Sequence, residues 1–239
     1  ALMLILPMLL IGMYSFMEHG NSIISFSLTI EHYVKFFTDP DFLLILWRST
    51  LIAIKTTVIC LLLGYPVAYM IARSSERVQS ILVLAITLPT WINALVRTYA
   101  WIGLLSEGGL ISQILAFLGF GHVELLHTEA AVLLGMVYNY LPFMILPIYS
   151  VIIKLDNSLL EAARDLGANS VGVFRKVILP LSLPGVLSGI TMVFVPSVST
   201  FAISKMLGGG TQMMLGDLIE QQFLGGSYDP HLGAAISLV

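Results

Sequence analysis

The sequence Glu161-Ala-Ala-Arg-Asp-Leu-Gly167 is water-compatible in a 239-residue chain that is otherwise mostly apolar, and it lies between two long apolar runs. Ser158 precedes Glu161 by the spacing of a capping box, which favours the start of a helix. Gly167 can take the left-handed backbone conformation that closes such a helix. The stretch therefore predicts a short helix held between two membrane spans.

The same stretch continues to Val177-Ile-Leu-Pro180 and predicts a second helix. Ser170 is expected to cap this helix, and Pro180 is expected to end or bend it because proline lacks a backbone N–H. A pair of short helices between membrane spans has a shape that fits a socket in another protein. A loop that only lies on the membrane surface is the alternative interpretation.

The composition of the chain is that of a membrane protein. Hydrophobic residues make up 57% of the sequence and charged residues only 10%, and the mean hydropathy is +0.94. Soluble domains carry about 25% charged residues. The single cysteine, Cys60, lies in an apolar run. A disulfide needs two cysteines, so neither a disulfide within this sequence nor a cysteine-based metal site is expected.

The apolar runs predict an all-α integral membrane protein with six transmembrane helices in one domain over residues 1–239. A span needs about 20 apolar residues, and in lipid a helix pairs its backbone polar groups within itself. The first and last runs are interpreted as trimmed spans, and the loop 154–182 connects spans four and five. The spans are about 1–17, 50–72, 81–105, 130–153, 183–204 and 231–239.

Basic residues indicate the orientation of these spans, since Lys and Arg concentrate in cytoplasmic loops. They occur in the connections 73–80 and 154–180, which places both connections, and with them the amphiphilic stretch, in the cytoplasm. The residues concerned are Arg73, Arg77, Lys154, Arg164, Arg175 and Lys176.

The opposite, outer side is acidic, with ten carboxylates against three bases. A field of that sign concentrates cations, although translocated loops are also simply poor in Lys and Arg. Asp217, Glu220 and Asp229 are the outer-face candidates for contact with a cation. The ten carboxylates are Glu18, Glu31, Asp39, Asp41, Glu107, Glu124, Glu129, Asp217, Glu220 and Asp229.

Spans three to five carry polar, aromatic and proline residues, which in membranes usually face a bundle interior or a water-filled cavity. On a continuous helix, Asn93, Arg97 and Trp101 share one face. Thr200 likewise shares a face with Ser197. These spans predict a pathway through the bundle, and its candidate residues are Trp91, Asn93, Tyr99, Trp101, Tyr138, Tyr140 and Thr200.

Some of these candidates have a simpler interpretation, whereas Trp91, nearer the midplane, is harder to explain in that way. Hydroxyls such as that of Thr200 often bond to their own helix backbone, and Tyr99 and Trp101 suit an interfacial aromatic belt. Arg97 lies in the outer third of its span, and we interpret it as extending to the lipid headgroups. A place for Arg97 in the pathway is the alternative.

The sequence contains no recognisable enzyme site. No phosphate-binding loop of the Gly-x-x-x-x-Gly-Lys-Ser/Thr type occurs, so ATP binding by that route is excluded. The five histidines lack metal-ligand spacing, and nothing indicates nucleic-acid binding. No cofactor or metal is therefore expected on this chain.

The amphiphilic stretch resembles the EAA motif of ABC importer permeases, with Val177 where that motif has Ile. In that family the loop forms coupling helices that dock on a separate ATPase subunit, which binds the ATP and Mg²⁺. The resemblance implies a type I permease fold in a bacterial inner or plasma membrane. The ATPase-coupling residues that it implies are Glu161, Ala162, Ala163, Asp165, Gly167, Leu179 and Pro180.

Several further segments resemble the spermidine/putrescine permease group, most like its first permease subunit. They include Leu88 to Asn93, Leu95 to Trp101, Tyr140 to Tyr149 and Met206 to Gly209. The resemblance implies a polyamine importer with a second homologous permease subunit, two ATPase subunits and an extracellular polyamine-binding protein. That binding protein is expected on the outer loops 18–49, 106–129 and 205–230.

Two other functions remain open. One is an importer for another small solute, such as iron, thiamine, phosphonate or another anion, because Arg97 suits an anion and the predicted spans contain no Asp or Glu. The other is a membrane enzyme or a scaffold without transport. The lack of clustered His, Asp or Cys within the predicted spans argues against the enzyme.

Overall fold

The computed structural model describes residues 2–17, 28–119, 124–210, 213–225 and 228–239, and these residues are helical apart from turns, short connections and one isolated bridge between Met17 and Leu28. The α-helices are α1 Leu2–Ser15, α2 Glu31–Thr38, α3 Pro40–Ala72, α4 Glu76–Thr87, α5 Ala94–Leu105, α6 Leu110–Phe117, α7 Glu129–Ile152, α8 Asn157–Asp165, α9 Ser170–Val173, α10 Leu179–Ser199, α11 Ala202–Gly208, α12 Leu215–Leu224 and α13 Pro230–Leu238.

Four helical stretches are long and apolar enough to cross a membrane, which confirms the predicted all-helical membrane fold. They are Pro40–Ala72, Ala94–Phe117, Glu129–Ile152 and Ser170–Ser199. The second stretch joins α5 and α6 across the turn at 106–109. Helix α1 is a shorter apolar helix and packs against α13.

Helices α3, α7 and α10 form the centre of the fold. Small residues let their backbones approach closely, as is common between membrane helices. A Cβ on Gly185 of α10 would lie 2.8 Å from the carbonyl oxygen of Pro147. A Cβ on Gly64 of α3 would lie 3.0 Å from Cγ of Met144. The core of this region includes Ile71, Ile145 and Val193.

The short helices α11 and α12 close the end of the fold at which α7 begins. Leu207 of α11 is fully buried, and a Cβ on Gly135 of α7 would lie only 2.3 Å from its Cδ1 atom. The backbone N–H of Leu215, at the start of α12, donates to Ser49 Oγ of α3 at 2.7 Å. These contacts attach the outer helices to the central bundle.

Helix α3 begins at Pro40, well before the predicted start of the second span at residue 50. Asp39 caps the helix by accepting a hydrogen bond from the backbone N–H of Asp41 at 3.0 Å. Pro40 occupies the first turn, where its missing N–H costs no hydrogen bond. The early start therefore follows from local capping chemistry.

The predicted third span, 81–105, is interrupted. A 3₁₀ turn at Leu88–Trp91 follows α4, and Asn93 caps α5 by accepting from the backbone N–H of Leu95 at 2.8 Å. Pro89 lies in the 3₁₀ turn and accounts for the break because it donates no backbone hydrogen bond. The predicted face is therefore not continuous: Asn93 caps the helix, and only Arg97 and Trp101 share a face of α5.

The predicted fifth span, 183–204, also differs. Its helix ends at Ser199, Thr200 is extended, and α11 begins at Ala202. Ser197 and Thr200 consequently do not share a helix face. Pro196, within the last turn of α10, removes one backbone donor near this end.

Candidate functional site

The first helix of the loop 154–182 is α8, and its start differs from the predicted capping box. Asp156, rather than Ser158, is the capping residue, and its side chain accepts from the backbone N–H of Ser158 at 2.9 Å. This hydrogen bond lowers the pKa of the Asp156 carboxyl. The predicted pairing of Ser158 with Glu161 is therefore wrong, because the preceding aspartate already satisfies the first orphan donor.

The end of α8 is formed as predicted. Gly167 has φ +84°, in the left-handed region that favours glycine. Its N–H donates to the carbonyl of Arg164 at 2.8 Å, and the N–H of Ala168 donates to the carbonyl of Ala163 at 3.0 Å. These two bonds form a Schellman motif, which satisfies carbonyls that the helix end leaves free.

The second helix of the loop is capped by Asn169, not by Ser170, and the Asn169 side chain accepts from Gly172 N–H at 2.8 Å. Pro180 does not end this helix. A π turn at Phe174–Ile178 leads into α10, with the N–H of Leu179 donating to the carbonyl of Phe174. Because the π turn shifts the backbone hydrogen bonds, the helix continues although Pro180 has no N–H to donate. Helical backbone therefore runs from Ser170 to Ser199.

The loop is attached to α3 through a small apolar core. Leu160 of α8 is buried together with Val173 and Ile178. The ring of Phe174 stands edge-on to the rings of Tyr65 and Tyr69, with centroids 5.7 Å and 5.9 Å apart. A rigid-body displacement of α8 is therefore resisted by direct packing on the inner end of α3.

The opposite side of the loop exposes a mixed apolar and acidic surface. Leu166 is 89% exposed, and Leu159 and Val171 are also exposed. We call this the docking surface, and it comprises Leu159, Glu161, Ala162, Asp165, Leu166 and Val171. Of the other predicted coupling residues, Gly167, Leu179 and Pro180 are exposed and Ala163 is half-buried. Apolar side chains presented beside charges in this way are typical of a protein interaction site.

The structure brings together only some of the predicted pathway residues. Trp101 of α5 meets Tyr138 of α7 edge-on, with centroids 5.4 Å apart. The hydroxyl of Tyr140 donates to the carbonyl of Pro196 at 3.4 Å. Trp91 and Tyr99 are 73% and 70% exposed. Asn93 and Thr200 lie at helix ends, where Asn93 caps α5 and Thr200 follows α10.

Arg97 lies against the same aromatic pair. Its guanidinium carbon is 5.9 Å from the centroid of the Tyr138 ring, and its Nε and Nη1 atoms are buried without a hydrogen-bond partner. Those two nitrogens are enclosed by protein, but the side chain as a whole is only half-buried, so the extension of Arg97 to the headgroups stays a prediction. Sequence reasoning placed Arg97 on a helix face but gave no sign of its contact with α7.

The three outer-face acids have structural partners. Asp217 is buried and accepts from Met214 N–H and from Ser204 Oγ, each at 2.8 Å. Burial raises the pKa of Asp217, and these two hydrogen bonds oppose the rise. Glu220 pairs with Lys205 at 2.9 Å.

The third acid, Asp229, accepts from Leu232 N–H at 3.1 Å and caps α13. Asp217 and Glu220 also line a cavity of about 100 Å³ together with Gln221. Glu18, another predicted outer acid, lies outside the described residues. The described acids thus stabilise the outer helices.

Sequence reasoning missed a cluster that ties α1 to α13. The His231 ring stacks on Tyr14 with centroids 5.2 Å apart and on His32 with centroids 5.9 Å apart. No spacing in the sequence indicates a contact between residues so far apart along the chain. Within the described ranges, no three His, Cys, Asp or Glu side chains are arranged to hold a metal ion.

Comparison with known sequences identifies a protein family and relatives that resemble almost the whole chain. A family model described as "Binding-protein-dependent transport system inner membrane component" matches residues 61–239. The chain is 39% identical over 237 residues to the spermidine/putrescine transport system permease protein PotB of Haemophilus influenzae, covering 98% of this chain and 82% of that protein. It is 37% identical over 240 residues to PotB of Escherichia coli, covering 99% of this chain and 86% of that protein.

Two solved structures have the same fold at low identity. One is the bacterial alginate ABC transporter in complex with an alginate pentasaccharide-bound periplasmic protein, with TM-score 0.73, 18% identity and coverage of 98% of this chain and 82% of that chain. The other is a bacterial ABC transporter involved in the import of the acidic polysaccharide alginate, with TM-score 0.69, 17% identity and coverage of 99% and 84%.

Proposed function

The chain belongs to the family of binding-protein-dependent transport system inner membrane components, and on that premise we propose that it is a permease subunit of an ATP-driven importer of polyamines such as spermidine and putrescine. The observation that carries the substrate class is the 37–39% identity, over almost the whole chain, to proteins named spermidine/putrescine permeases. In this family the chain is a membrane component and not itself an enzyme.

The docking surface is the proposed contact with the ATPase. Glu161 and Asp165 offer carboxylates on exposed turns of α8, and Leu166 offers an apolar contact. Closure of an ATPase dimer would displace α8, and the packing of Phe174 on Tyr65 and Tyr69 would pass that displacement to α3. ATP and Mg²⁺ belong to the ATPase in this proposal, and the chain itself needs no cofactor.

The complete importer in this proposal contains a second homologous permease and two ATPase subunits. It also works with an extracellular polyamine-binding protein. The α5 side chains Leu95, Val96 and Tyr99 are exposed in the isolated chain, which leaves an apolar face for another membrane subunit or for lipid. The binding protein would contact the acidic outer loops. The chain would cross the bacterial cell membrane several times with α8 and α9 in the cytoplasm.

An importer for another solute is the second candidate, and Arg97 favours it. Polyamine ammonium groups are expected to bind carboxylates and aromatic faces, whereas a guanidinium attracts anions. Within the described residues, Arg97 has no carboxylate within ion-pair distance. Among the alternatives of iron, thiamine, phosphonate and other anions, Arg97 therefore favours a phosphonate or another anion.

The test is uptake by the complete transporter in proteoliposomes. Radiolabelled spermidine is supplied with its binding protein, and ATP is enclosed with the ATPase subunits. We expect ATP-dependent uptake that unlabelled putrescine reduces by competition. An intact, ATP-hydrolysing complex that takes up no spermidine would exclude the polyamine assignment.

The coupling role has its own variant. Glu161→Ala removes a carboxylate of the docking surface and leaves the buried side of α8 unchanged, so we expect reduced uptake with normal assembly of the membrane subunits. Glu76→Ala, on the other cytoplasmic connection, removes an equally exposed acid and is the matched control. Equal uptake by both variants and the wild type would show that Glu161 has no coupling role.

A further inference from the structure

Arg97 is an unusual side chain for a route that carries cations. It belongs to α5, and its guanidinium is held on the ring of Tyr138 in α7. Eight residues separate Arg97 from the outer end of α5 at Leu105, which corresponds to a depth of about 12 Å. Tyr138 lies about 14 Å below the outer end of α7 by the same rise per residue.

The surroundings leave the charge of Arg97 uncompensated. Its Nε and Nη1 are buried without a hydrogen bond, whereas two other bases on this side of the bundle, Lys55 and Lys205, are paired with Glu129 and Glu220. A charged side chain at membrane depth usually faces a bundle interior or a water-filled cavity rather than lipid. An unpaired guanidinium there creates a positive potential, and in membrane pores an arginine in such a position excludes cations.

The outer face makes such a barrier necessary for a polyamine importer. Its loops carry an excess of carboxylates, which raises the local concentration of all cations, including protons and metal ions. An aromatic route to the cytoplasm would conduct these ions between transport cycles if nothing in the resting path repelled them. A positive charge held in the resting path behind the acidic mouth counters this leak.

We propose that Arg97, held against Tyr138, is the electrostatic barrier that keeps inorganic cations out of the translocation path of this permease. The proposal rests on the proposed import function. Tyr138 positions the charge, and Trp101 supports the Tyr138 ring edge-on at 5.4 Å. Among the described residues no carboxylate pairs with the guanidinium, so a movement of α5 relative to α7 can remove it from the ring when the path opens for substrate.

The position also explains how a cationic substrate is admitted while small ions are refused. The guanidinium occupies the aromatic face on which an ammonium group would otherwise bind. A substrate delivered by a binding protein during an ATP-driven opening meets the path after Arg97 has moved. A free metal ion meets the resting path, in which the charge is in place.

The test measures ion leak through the complete complex in proteoliposomes without ATP, with rubidium ion as the probe. Arg97→Gln keeps a long polar side chain and removes the charge, and we expect its rubidium flux to exceed the wild-type flux by at least about tenfold. Arg97→Lys keeps the charge and should remain close to wild type. Tyr138→Leu removes the supporting ring and should leak more than Tyr138→Phe.

The outcomes separate charge from packing. Wild-type flux in a correctly assembled Arg97→Gln complex would overturn the proposal, and equal leaks in Arg97→Gln and Arg97→Lys would show that the guanidinium serves only packing. Assembly is checked by size-exclusion chromatography of the complex with its ATPase subunits. Spermidine uptake by the wild type is scored separately, so failure of the polyamine function is distinguished from failure of the barrier.

Discussion

The ring of Phe174 lies edge-on to the ring of Tyr65, with centroids 5.7 Å apart and planes at 89°. The hydroxyl of Tyr65 lies 2.8 Å from Ser182 Oγ in a buried hydrogen bond between α3 and α10. One tyrosine of α3 therefore contacts both the loop 154–182 and the helix that follows it. A displacement of Phe174 would therefore act on α3 and α10 through the same tyrosine.

This junction predicts that Phe174→Ala weakens coupling. Phe174 is half-buried, and the loss of its ring from contact with Tyr65 and Tyr69 should cost about 2 kcal/mol in packing, less than a full core truncation. We expect ATP-driven uptake to fall severalfold while ATP hydrolysis by the assembled complex continues. Phe174→Leu retains apolar volume and should lose less. Parallel loss of hydrolysis and uptake in Phe174→Ala would instead indicate failed assembly.

A second prediction concerns the close contact of α7 and α10. In Gly185→Ala the new methyl group would lie 2.8 Å from the Pro147 carbonyl oxygen and 3.0 Å from Cγ2 of Val151. The helices must separate, at an expected cost of about 1–3 kcal/mol. Thermal unfolding in detergent measures the effect. Gly103→Ala, a helical position with no atom within 4 Å of the new Cβ, is the matched control and should not be destabilised.

Local chemistry explains which features could be predicted from the sequence. Gly167 was predicted to be left-handed because glycine is the residue that most often closes a helix in that conformation. Its φ is +84°. The caps were misplaced because Asp156 and Asn169 stand beside the serines that were chosen, and both types of side chain can cap a helix. The break at Pro89 was missed because the surrounding run is apolar enough to read as one span.

Contacts between distant parts of the chain could not be predicted in the same way. The stacking of His32 on His231 and of Arg97 on Tyr138 depends on how helices pack, and neither pair has a local signal. The outer acids were recognised as a charge pattern, but Asp217 and Asp229 proved to be helix caps. The net charge of the predicted outer loops could therefore be read from the sequence, whereas the contact that each carboxylate makes could not.

A third prediction tests the cap of α8. The pKa of Asp156 is lowered by the hydrogen bond from Ser158 N–H, so the folded state favours the ionised carboxylate. This contribution to stability is present above the ordinary pKa of 3.8 and is lost as the pH falls through the lower pKa of the folded state. Asp156→Ala should therefore increase proteolysis at α8 near neutral pH.

Asp156→Asn is the control, since asparagine also accepts at an N-cap position. It should protect α8 at neutral pH and should do so independently of acid pH. Equal cleavage of the alanine and asparagine variants would show that the cap does not hold α8. Limited proteolysis followed by mass spectrometry locates the cut.

The last prediction follows from the burial of Asp217. Burial raises the pKa of this carboxyl, so the folded state binds the proton more tightly than the unfolded state does. The resulting stabilisation is largest below the ordinary pKa of 3.8 and declines as the pH rises through the raised value.

Asp217→Asn has no proton to lose, and its side-chain oxygen can still accept from Met214 N–H and Ser204 Oγ. We expect the variant to gain melting temperature relative to the wild type at neutral pH and to lose that advantage in acid. Glu107→Gln, which removes an exposed outer carboxylate, controls for net charge. A lower melting temperature for Asp217→Asn at neutral pH would mean that the ionised carboxylate is required to join α11 to α12.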